Sequence, residues 1–365
     1  MKKLKKTVLE INLNSLEHNL KQITSKIKST TKVMAVVKAN AYGSDLVRVA
    51  KKLESLGIDY FSVAYSSEGV KLRNAGIKKP ILVLIPQAEN IKEIVENDLE
   101  PSLYSFYFLN HLISYLSENL IESFPCHFKI NSGLNRIGFK CEEINIAISK
   151  IKYCNRINII SIYSHLAASE DKNEKNFTQL QIKEFSELAS SMIDQLDLNP
   201  ILHMSNTSGI LNYPESEFDM VRCGLGLYGY SNHYDESLIP IHSLKTIISQ
   251  IISIEKGESV GYNRSFISSK KMDVGIIPLG HADGISRSFA KGGFVLINNK
   301  KAKILGNICM DVFMVDLENT NANEGDEVVI FNEFYNAEEF ARNVGTISYE
   351  ILTNLSSRIT RKVIG

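Results

Sequence analysis

The chain between about residues 30 and 225 alternates short apolar runs with amphipathic helical patterns. Eight runs are apolar almost throughout, as parallel strands buried on both faces require. They lie at residues 33–37, 59–64, 81–85, 101–105, 126–130, 158–164, 199–205 and 218–222. Helical patterns separate them, for example at 45–56 and 175–194. This α/β order predicts a (β/α)8 TIM barrel, with a doubly wound open sheet as the alternative.

Beyond about residue 238 the pattern changes to β-rich segments separated by Gly, Asn and Asp clusters, which predicts a C-terminal all-β domain. The extended segments are 244–254, 274–279, 294–297, 302–305, 312–317 and 327–331. Residues 7–13 are also extended but have no place in the count of barrel strands. We therefore predict three parts: residues 1–13 as a strand that joins the C-terminal domain, 14–238 as the barrel, and 239–365 as the β domain.

Composition narrows the class of protein. The 365 residues carry 41 Lys and Arg against 41 Asp and Glu, so net charge does not favour nucleic acid or an anionic membrane as a partner. No apolar stretch reaches membrane-spanning length. The five cysteines are odd in number and show no close pairing, which predicts neither a disulfide framework nor a metal site. A reducing cytoplasm is the simplest location.

Reactive side chains follow several of the predicted strands, at the barrel end where active sites are built. In chain order they are Lys38, Arg136, His165, Asn206, Thr207 and Arg222. A lone histidine at a strand end is usually structural, but the joint placement favours an active site. A lysine directly after a buried strand loses hydration, which lowers its pKa and favours Schiff-base chemistry. The alternative for Lys38 is a lysine whose ammonium reaches out to solvent.

The segment 222–229 (RCGLGLYG) contains G-x-G-x-x-G, a weak dinucleotide-binding pattern. An all-β region follows it instead of a βαβ unit, which argues against a dinucleotide. A glycine-rich turn after the last barrel strand is where barrels hold a phosphate on backbone N–H groups. We therefore interpret the segment as a monophosphate cradle.

Nine segments closely resemble those of bacterial alanine racemases and follow the family order across essentially the whole chain. The first, 33–43 (VMAVVKANAYG), resembles the pyridoxal-phosphate signature of the family. The others are 132–139, 163–167, 203–207, 221–224, 260–262, 282–284, 309–311 and 346–349. The resemblance implies a cytoplasmic homodimer with shared active sites, pyridoxal 5′-phosphate as cofactor, and no metal.

The resemblance also implies a role for each matching residue. Lys38 would bind the cofactor as a Schiff base and act as the base for D-alanine, and Tyr262 of the partner subunit would be the base for L-alanine. His165 would contact Tyr262, and Arg222 would contact both His165 and the pyridine nitrogen. The phosphate would be held by Tyr42, Thr207, Tyr349 and the backbone at Gly224 and Leu225, and Asn206 would also bind the cofactor. Arg136 would contact the phenolic oxygen of the cofactor and the substrate, and Met310 of the partner subunit would contact the substrate carboxylate. Lys129 stands where many relatives carry a carbamylated lysine.

Two-base racemisation fits these residue types, because one base must remove the α-proton on one face while another returns a proton on the opposite face. A phenol is a weak base near neutral pH, and positive potential from His165 and Arg222 has the right sign to favour its anion. Arginine only donates hydrogen bonds, so Arg222 would face an unprotonated pyridine nitrogen, which limits side reactions.

The chain departs from the family pattern around the substrate channel. Asn131 replaces a common aspartate, Glu170 an aspartate, His281 a tyrosine, and Asn307 a frequent arginine. Together with Arg287, residues 170, 281 and 307 are assigned to the substrate entrance. The departures affect channel shape and charge and leave the two bases in place.

The resemblance therefore implies an isomerase that interconverts L- and D-alanine and supplies D-alanine for peptidoglycan. A serine or broad-specificity racemase of the same fold is the alternative. A barrel decarboxylase that uses pyridoxal phosphate is more remote, because the Tyr262 and Met310 motifs do not support it. A non-catalytic pyridoxal-phosphate carrier would lack residues 239–365.

Overall fold

The computed structural model of the protein describes residues 6–231 and 237–365. Residues 1–5 of the predicted N-terminal segment lie outside the described residues. Across the two described ranges, no helix is both long and apolar enough to cross a membrane.

The eight predicted barrel strands all form and close into a parallel barrel, so the fold prediction is confirmed. After β1 (Val8–Asn12), they are β2 (Lys32–Val36), β3 (Tyr60–Val63), β4 (Ile81–Val83), β5 (Glu100–Leu103), β6 (Phe124–Lys129), β7 (Ile157–Tyr163), β8 (Ile201–His203) and β9 (Met220–Cys223). Lys32 lies opposite Met220 where β2 and β9 close the ring. Val33 and Ala35 pack in the large hydrophobic core, whereas Met34 packs in a separate cluster with Leu82 and Met220. Burial on both faces explains why the runs are apolar throughout.

Most of the helices alternate with the barrel strands, and the last two lie in the C-terminal part of the chain. The helices are α1 (Leu13–Thr24), α2 (Lys38–Gly43), α3 (Leu46–Ser55), α4 (Ser66–Asn74), α5 (Ile91–Glu96), α6 (Phe106–Glu118), α7 (Cys141–Cys154), α8 (Lys175–Leu196), α9 (Thr207–Asn212), α10 (Ala337–Arg342) and α11 (Ser348–Thr353). The boundaries of α3 follow local signals. At its start, the Asp45 side chain accepts a hydrogen bond from the Arg48 N–H at 3.0 Å, and beyond its end Gly57 has φ +86°.

The C-terminal part is a nine-stranded sheet in the order β11-β14-β17-β16-β15-β18-β10-β1-β19, beside a two-stranded ribbon of β12 and β13. Its strands are β10 (His242–Ile247), β11 (Gln250–Ile254), β12 (Ser259–Val260), β13 (Phe266–Ile267), β14 (Met272–Ile277), β15 (Phe294–Ile297), β16 (Lys300–Leu305), β17 (Phe313–Asp316), β18 (Glu327–Phe331) and β19 (Thr360–Ile364). The N-terminal strand β1 lies in this sheet, antiparallel to β10 and parallel to β19.

The sheet differs from the sequence prediction in two places. The segment 244–254 forms two strands instead of one, because β10 pairs with β18 while β11 pairs with β14 at the sheet edge. The sequence analysis also missed β12, β13 and β19. The first two have only two residues each, too few for an alternating pattern. The third is defined by its pairing with β1, which is remote in sequence.

The one-turn element α2 is left-handed. Ala39, Asn40, Ala41 and Tyr42 have φ between 53° and 55° and ψ between 45° and 56°. Each such residue costs about 1–2 kcal/mol relative to a right-handed turn, so contacts elsewhere must hold this one. Those contacts come from the side chains of the turn itself and from the β domain.

Within the turn, the Asn40 side chain donates to the Ser44 carbonyl at 3.0 Å and accepts from the Leu46 N–H at 3.2 Å. From the β domain, Arg361 donates to the Gly43 carbonyl through Nε at 3.3 Å and Nη2 at 3.2 Å. Ser44 Oγ and His242 Nε2 are 2.6 Å apart. The β domain therefore fixes the turn that begins at Lys38.

Candidate active site

A cavity of about 890 Å³ opens at the carboxyl ends of the barrel strands, beneath α10 and α11 of the C-terminal part. Twelve of the residues singled out in the sequence line it: Lys38, Tyr42, Lys129, Arg136, His165, Glu170, Asn206, Thr207, Arg222, Gly224, Leu225 and Tyr349. The barrel mouth thus brings together side chains that are up to about 300 residues apart in sequence, as active sites of this architecture do.

Lys38 lies two residues beyond the end of β2, at the start of the left-handed turn. Burial lowers the pKa of its ammonium, and Arg136 and Arg222 lower it further, while Glu68 acts in the opposite sense. A lysine that gives up its proton more readily has a free lone pair for a carbonyl carbon or for an acidic C–H group.

Arg222 is the buried centre of the site, at 4% exposure. Its Nη2 donates to His165 Nδ1 at 2.9 Å, and its Nη1 donates to His203 Nδ1 at 2.8 Å. The same guanidinium donates to the backbone carbonyls of Ser164 at 2.7 Å and Met204 at 2.9 Å. Burial lowers the pKa of Arg222 to about 10, which leaves it charged at neutral pH.

These bonds fix the proton positions on both histidines. An arginine can only donate, so Nδ1 of His165 and of His203 must accept, and each neutral ring carries its proton on Nε2. Burial, and then the charge of Arg222, hold the pKa of both imidazoles well below the ordinary value. His165 therefore presents an Nε2–H donor and cannot readily take a second proton.

A glycine turn closes another side of the cavity. The N–H groups of Gly224 and Gly226 donate to Thr207 Oγ1 at 3.3 and 3.2 Å. A Cβ on Gly224 would lie 2.7 Å from Tyr42 Oη, so a side chain there would fill the space between the turn and that hydroxyl. The Tyr42 and Tyr349 rings are 5.8 Å apart. Asn206 caps α9 through an acceptor bond from the Gly209 N–H at 2.8 Å.

Positive charge dominates the deep wall. Lys129 is 4% exposed, and its Nζ lies 4.5 Å from the centre of the Tyr163 ring. Burial is the main reason why the pKa of the Lys129 ammonium lies well below the ordinary value, and the charges of Arg222 and Arg136 lower it further. No carboxylate pairs with Lys129 among the residues that the structure describes. The Asn131 side chain instead accepts from the N–H groups of its own loop, at 2.9 Å from Asn135.

Five of the sequence-assigned residues lie outside the cavity, on the C-terminal part: Tyr262, His281, Arg287, Asn307 and Met310. Tyr262 is 71% exposed and Met310 is 59% exposed. Asn307 Nδ2 donates to the Tyr262 carbonyl at 3.1 Å. The Met310 carbonyl accepts from the Ala282 N–H at 3.0 Å, next to His281. A single chain therefore holds the two assigned bases apart.

The sequence analysis assigned no role to Tyr163 or His203, although both support the site. Their rings stack at 4.8 Å with an interplanar angle of 3°. The Tyr163 ring also lies under Lys129 and, at 5.4 Å, under Arg222. Strand alternation was the signal that could have found Tyr163, since it is two residues from the buried polar Ser161 on β7.

Two family models match the chain in succession: the alanine racemase N-terminal domain over residues 11–232 and the alanine racemase C-terminal domain over residues 241–363. The chain is 36% identical to the alanine racemase of Thermodesulfovibrio yellowstonii, over 97% of each chain. It is 34% identical to the alanine racemase of Methanococcus maripaludis, over 96% of this chain and 97% of the relative.

Solved structures of similar proteins have the same architecture along nearly their whole length. The Bacillus anthracis alanine racemase with bound L-Ala-P is 30% identical at a TM-score of 0.92, covering 99% of this chain and 96% of that one. The Bartonella henselae alanine racemase with covalently bound pyridoxal phosphate is 26% identical at a TM-score of 0.90, covering 99% and 100%. The chain therefore belongs to the alanine racemase family of isomerases.

Proposed function

We propose that the protein interconverts L- and D-alanine with pyridoxal 5′-phosphate as cofactor. The observation that carries the proposal is the placement of Lys38, with its lowered pKa, in the same cavity as the buried Arg222–His165 pair. Family membership supports the reaction, and the cavity supplies one of the two bases that it needs. A serine or broad-specificity racemase remains the second candidate, because the family relationship does not separate these substrates.

The cavity suits the cofactor on three grounds. Five cationic side chains line it, Lys38, Lys129, Arg136, Arg222 and Arg342, against two carboxylates, Glu170 and Glu338, so a bound anionic group improves the charge balance. The glycine turn leaves room beside the Tyr42 hydroxyl that a side chain would fill, as a phosphate cradle requires. Arg222 can donate to a ring nitrogen but cannot protonate it. The bound cofactor would supply an aldehyde carbon for an amine and a conjugated ring that withdraws electrons from Cα.

Each residue then has a defined task. Lys38 would hold the cofactor through its amine and, once displaced by the substrate amine, take up or return the α-proton on the face of D-alanine. Tyr42, Thr207, Tyr349 and the turn at Gly224 and Leu225 would hold the phosphate, with Asn206 keeping Thr207 in place as the cap of α9. Arg136 would orient the cofactor and the substrate carboxylate.

The second base must come from elsewhere, since the opposite face of the cavity has no phenol of the same chain assigned to it. Tyr262 and Met310 are exposed on the β domain together with Ile267, at 56% exposure. A two-fold homodimer would bury this surface and present Tyr262 of the partner subunit to each cavity. There the His165 Nε2–H would donate to the phenolic oxygen and favour its anion, while the charged Arg222 behind His165 keeps that imidazole from taking the proton.

His281, Arg287, Asn307 and Glu170 would then line the route to the cavity. Asn307 is bonded to the Tyr262 backbone, so its side chain also helps to hold the loop that carries the base. The proposed setting is the cytoplasm, where D-alanine is made for peptidoglycan. The absence of paired cysteines in the sequence agrees with a reducing compartment.

Mixed dimers test the shared site. Lys38→Ala and Tyr262→Phe should each be inactive as homodimers, while a reassorted mixture should recover about a quarter of wild-type activity, because half the dimers carry one intact site of two. Tyr107→Phe, at another exposed tyrosine, on α6, is the matched control and should stay active. Mass spectrometry verifies subunit exchange.

If heterodimers form without activity, the site is not shared and the Tyr262 assignment is wrong. A substrate panel read by change of chirality completes the test. Alanine racemisation at a much higher kcat/KM than serine, lysine or arginine supports the proposal, whereas comparable values for serine favour the second candidate.

A further inference from the structure

A row of polar side chains crosses the barrel interior on five neighbouring strands, β5 to β9. His127 Nε2 lies 2.9 Å from Glu100 Oε2, and His127 Nδ1 lies 2.5 Å from Ser161 Oγ. Ser161 Oγ lies 3.0 Å from His203 Nε2, and His203 Nδ1 receives the Arg222 donor at 2.8 Å. His127, Ser161 and His203 are fully buried, and Glu100 is 14% exposed. The row connects the first residue of β5, at the amino end of the barrel, with the catalytic cavity.

Hydrogen bonds along this row can all be made only if every group donates in the same direction, from Arg222 towards Glu100. Because Arg222 only donates, His203 Nδ1 accepts and His203 Nε2–H donates to Ser161 Oγ. The Ser161 hydroxyl proton then has one acceptor in the row, His127 Nδ1. His127 consequently carries its proton on Nε2 and donates it to the Glu100 carboxylate.

The consequence is a set of fixed tautomers held from one end by the acceptor oxygen of Glu100. A buried hydroxyl or imidazole without a partner is destabilised by its lost hydration, so each member holds the next in its protonation state. If the acceptor at Ser161 is lost, His203 has no reason to keep its proton on Nε2. Its other tautomer would point an N–H at Arg222, and two donors would then face each other.

We propose that Glu100 is a positioning residue for Arg222, acting through the hydrogen-bonded row of His127, Ser161 and His203. This inference rests on the proposed function, in which Arg222 holds His165 against the second base. Glu100 touches neither substrate nor cofactor. It would act by keeping the guanidinium in the one orientation that serves both His165 and the cofactor side of the cavity.

Ser161→Ala is the first test, because it removes the middle of the row and leaves every charged group in place. Ser62→Ala is its matched control: Ser62 is also fully buried, on β3, and its hydroxyl has no hydrogen-bond partner among the described residues. We expect Ser161→Ala to lower kcat about tenfold or more with KM for alanine within about twofold. The control should stay within about twofold of wild type in both.

Isotope effects separate positioning from general loosening. With α-deuterated L-alanine the isotope is removed at Tyr262, whose partner is His165, and with α-deuterated D-alanine it is removed at Lys38. A displaced Arg222 weakens support for the Tyr262 step, so the isotope effect of Ser161→Ala should rise with L-alanine relative to that with D-alanine. Equal changes for the two enantiomers, or a kcat no lower than that of Ser62→Ala, overturn the inference.

Two variants at the far end test the role of Glu100 itself. Glu100→Gln keeps an oxygen that accepts from His127 Nε2–H, whereas Glu100→Ala removes the acceptor. We expect Glu100→Gln to retain most of kcat and Glu100→Ala to resemble Ser161→Ala. The same loss in both variants would mean that negative charge, and not the hydrogen-bond direction, is what matters, and the proposed mechanism would be wrong.

Neutron diffraction from crystals of the wild-type holoenzyme reads the tautomers without any assay. Deuterium on Nε2 and none on Nδ1, for both His127 and His203, is the expected result. Deuterium on Nδ1 of either ring overturns the assignment. If the wild-type enzyme fails to racemise alanine, the proposed function fails, while the neutron result still decides whether the row has the stated direction.

Discussion

Replacing Gly43 by alanine measures how closely the β domain holds the turn that carries Lys38. Gly43 ends the left-handed turn with φ +76°, and a Cβ there would lie 1.9 Å from the Leu352 carbonyl oxygen and 2.8 Å from its carbon. Backbone cannot move aside as a flexible side chain can. Gly43→Ala must therefore push α11 away from the turn or change the turn itself.

Two contributions set the expected size. A left-handed alanine costs about 1–2 kcal/mol, and an overpacked contact typically adds about 1–3 kcal/mol. Gly43→Ala should thus lower the free energy of unfolding by about 2–5 kcal/mol. Gly57→Ala is the matched control, since Gly57 has φ +86° and, apart from its neighbours along the chain, no described residue comes within 4 Å of the added Cβ. It should lose about 1–2 kcal/mol from the backbone conformation alone.

Urea unfolding of both variants, followed by circular dichroism, gives the two free energies. Equilibrium dialysis gives the affinity for pyridoxal 5′-phosphate, which should fall about tenfold or more in Gly43→Ala because Lys38 and Tyr42 belong to the displaced turn. Gly57→Ala should bind the cofactor like wild type. Equal losses of stability in the two variants, with unchanged cofactor affinity, would refute the reasoning.

Three further predictions concern the charged side chains of the site and its entrance. Lys129 should carry a carbamate or contact a bound anion, because Asn131 turns to its own loop and no carboxylate of the described residues pairs with the lysine; a high-resolution density map showing a bare lysine without a neighbouring anion would contradict this. His281→Tyr should change KM or the substrate range, and loss of α-proton exchange with unchanged alanine binding would rule out an entrance role. In the apoprotein, burial lowers the pKa of Lys38 in the folded state. Between that lowered pKa and the unfolded value of about 10.4, the unfolded chain binds more protons than the folded chain. The free energy of unfolding should therefore rise with pH across this window. Lys38→Met should reduce the slope of melting temperature against pH there, and an unchanged slope would contradict the assignment.

The barrel, and several of the side chains at the carboxyl ends of its strands, could be predicted from the sequence because the signals for both are local. A strand buried on both faces must be apolar throughout, so each run could be recognised without knowing its neighbours. The residue after such a strand lies at the carboxyl end of the ring whatever the exact register. Lys38, His165 and Arg222 were placed in this way, and all three line the cavity. The start and end of α3 were equally local, at Asp45 and Gly57.

Only the tertiary structure decided which partner each segment and side chain meets. The segment 244–254 is one apolar stretch in sequence, but its halves pair with β18 and β14, which no local pattern distinguishes. The left-handed turn after Lys38 contains no glycine until Gly43, and it depends on Arg361 and Leu352 from the far end of the chain.

Tertiary structure also decided the direction of the buried hydrogen bonds and the distance between Tyr262 and the cavity. Hydrogen-bond direction through the barrel interior follows from Arg222 meeting two imidazoles, a fact of three-dimensional contact. The separation of Tyr262 from the cavity is likewise set by how the β domain sits on the barrel. Sequence determines what a residue can donate, accept or bury, whereas the folded chain determines which group is within reach, because hydrogen bonds and steric contacts act over only a few ångströms.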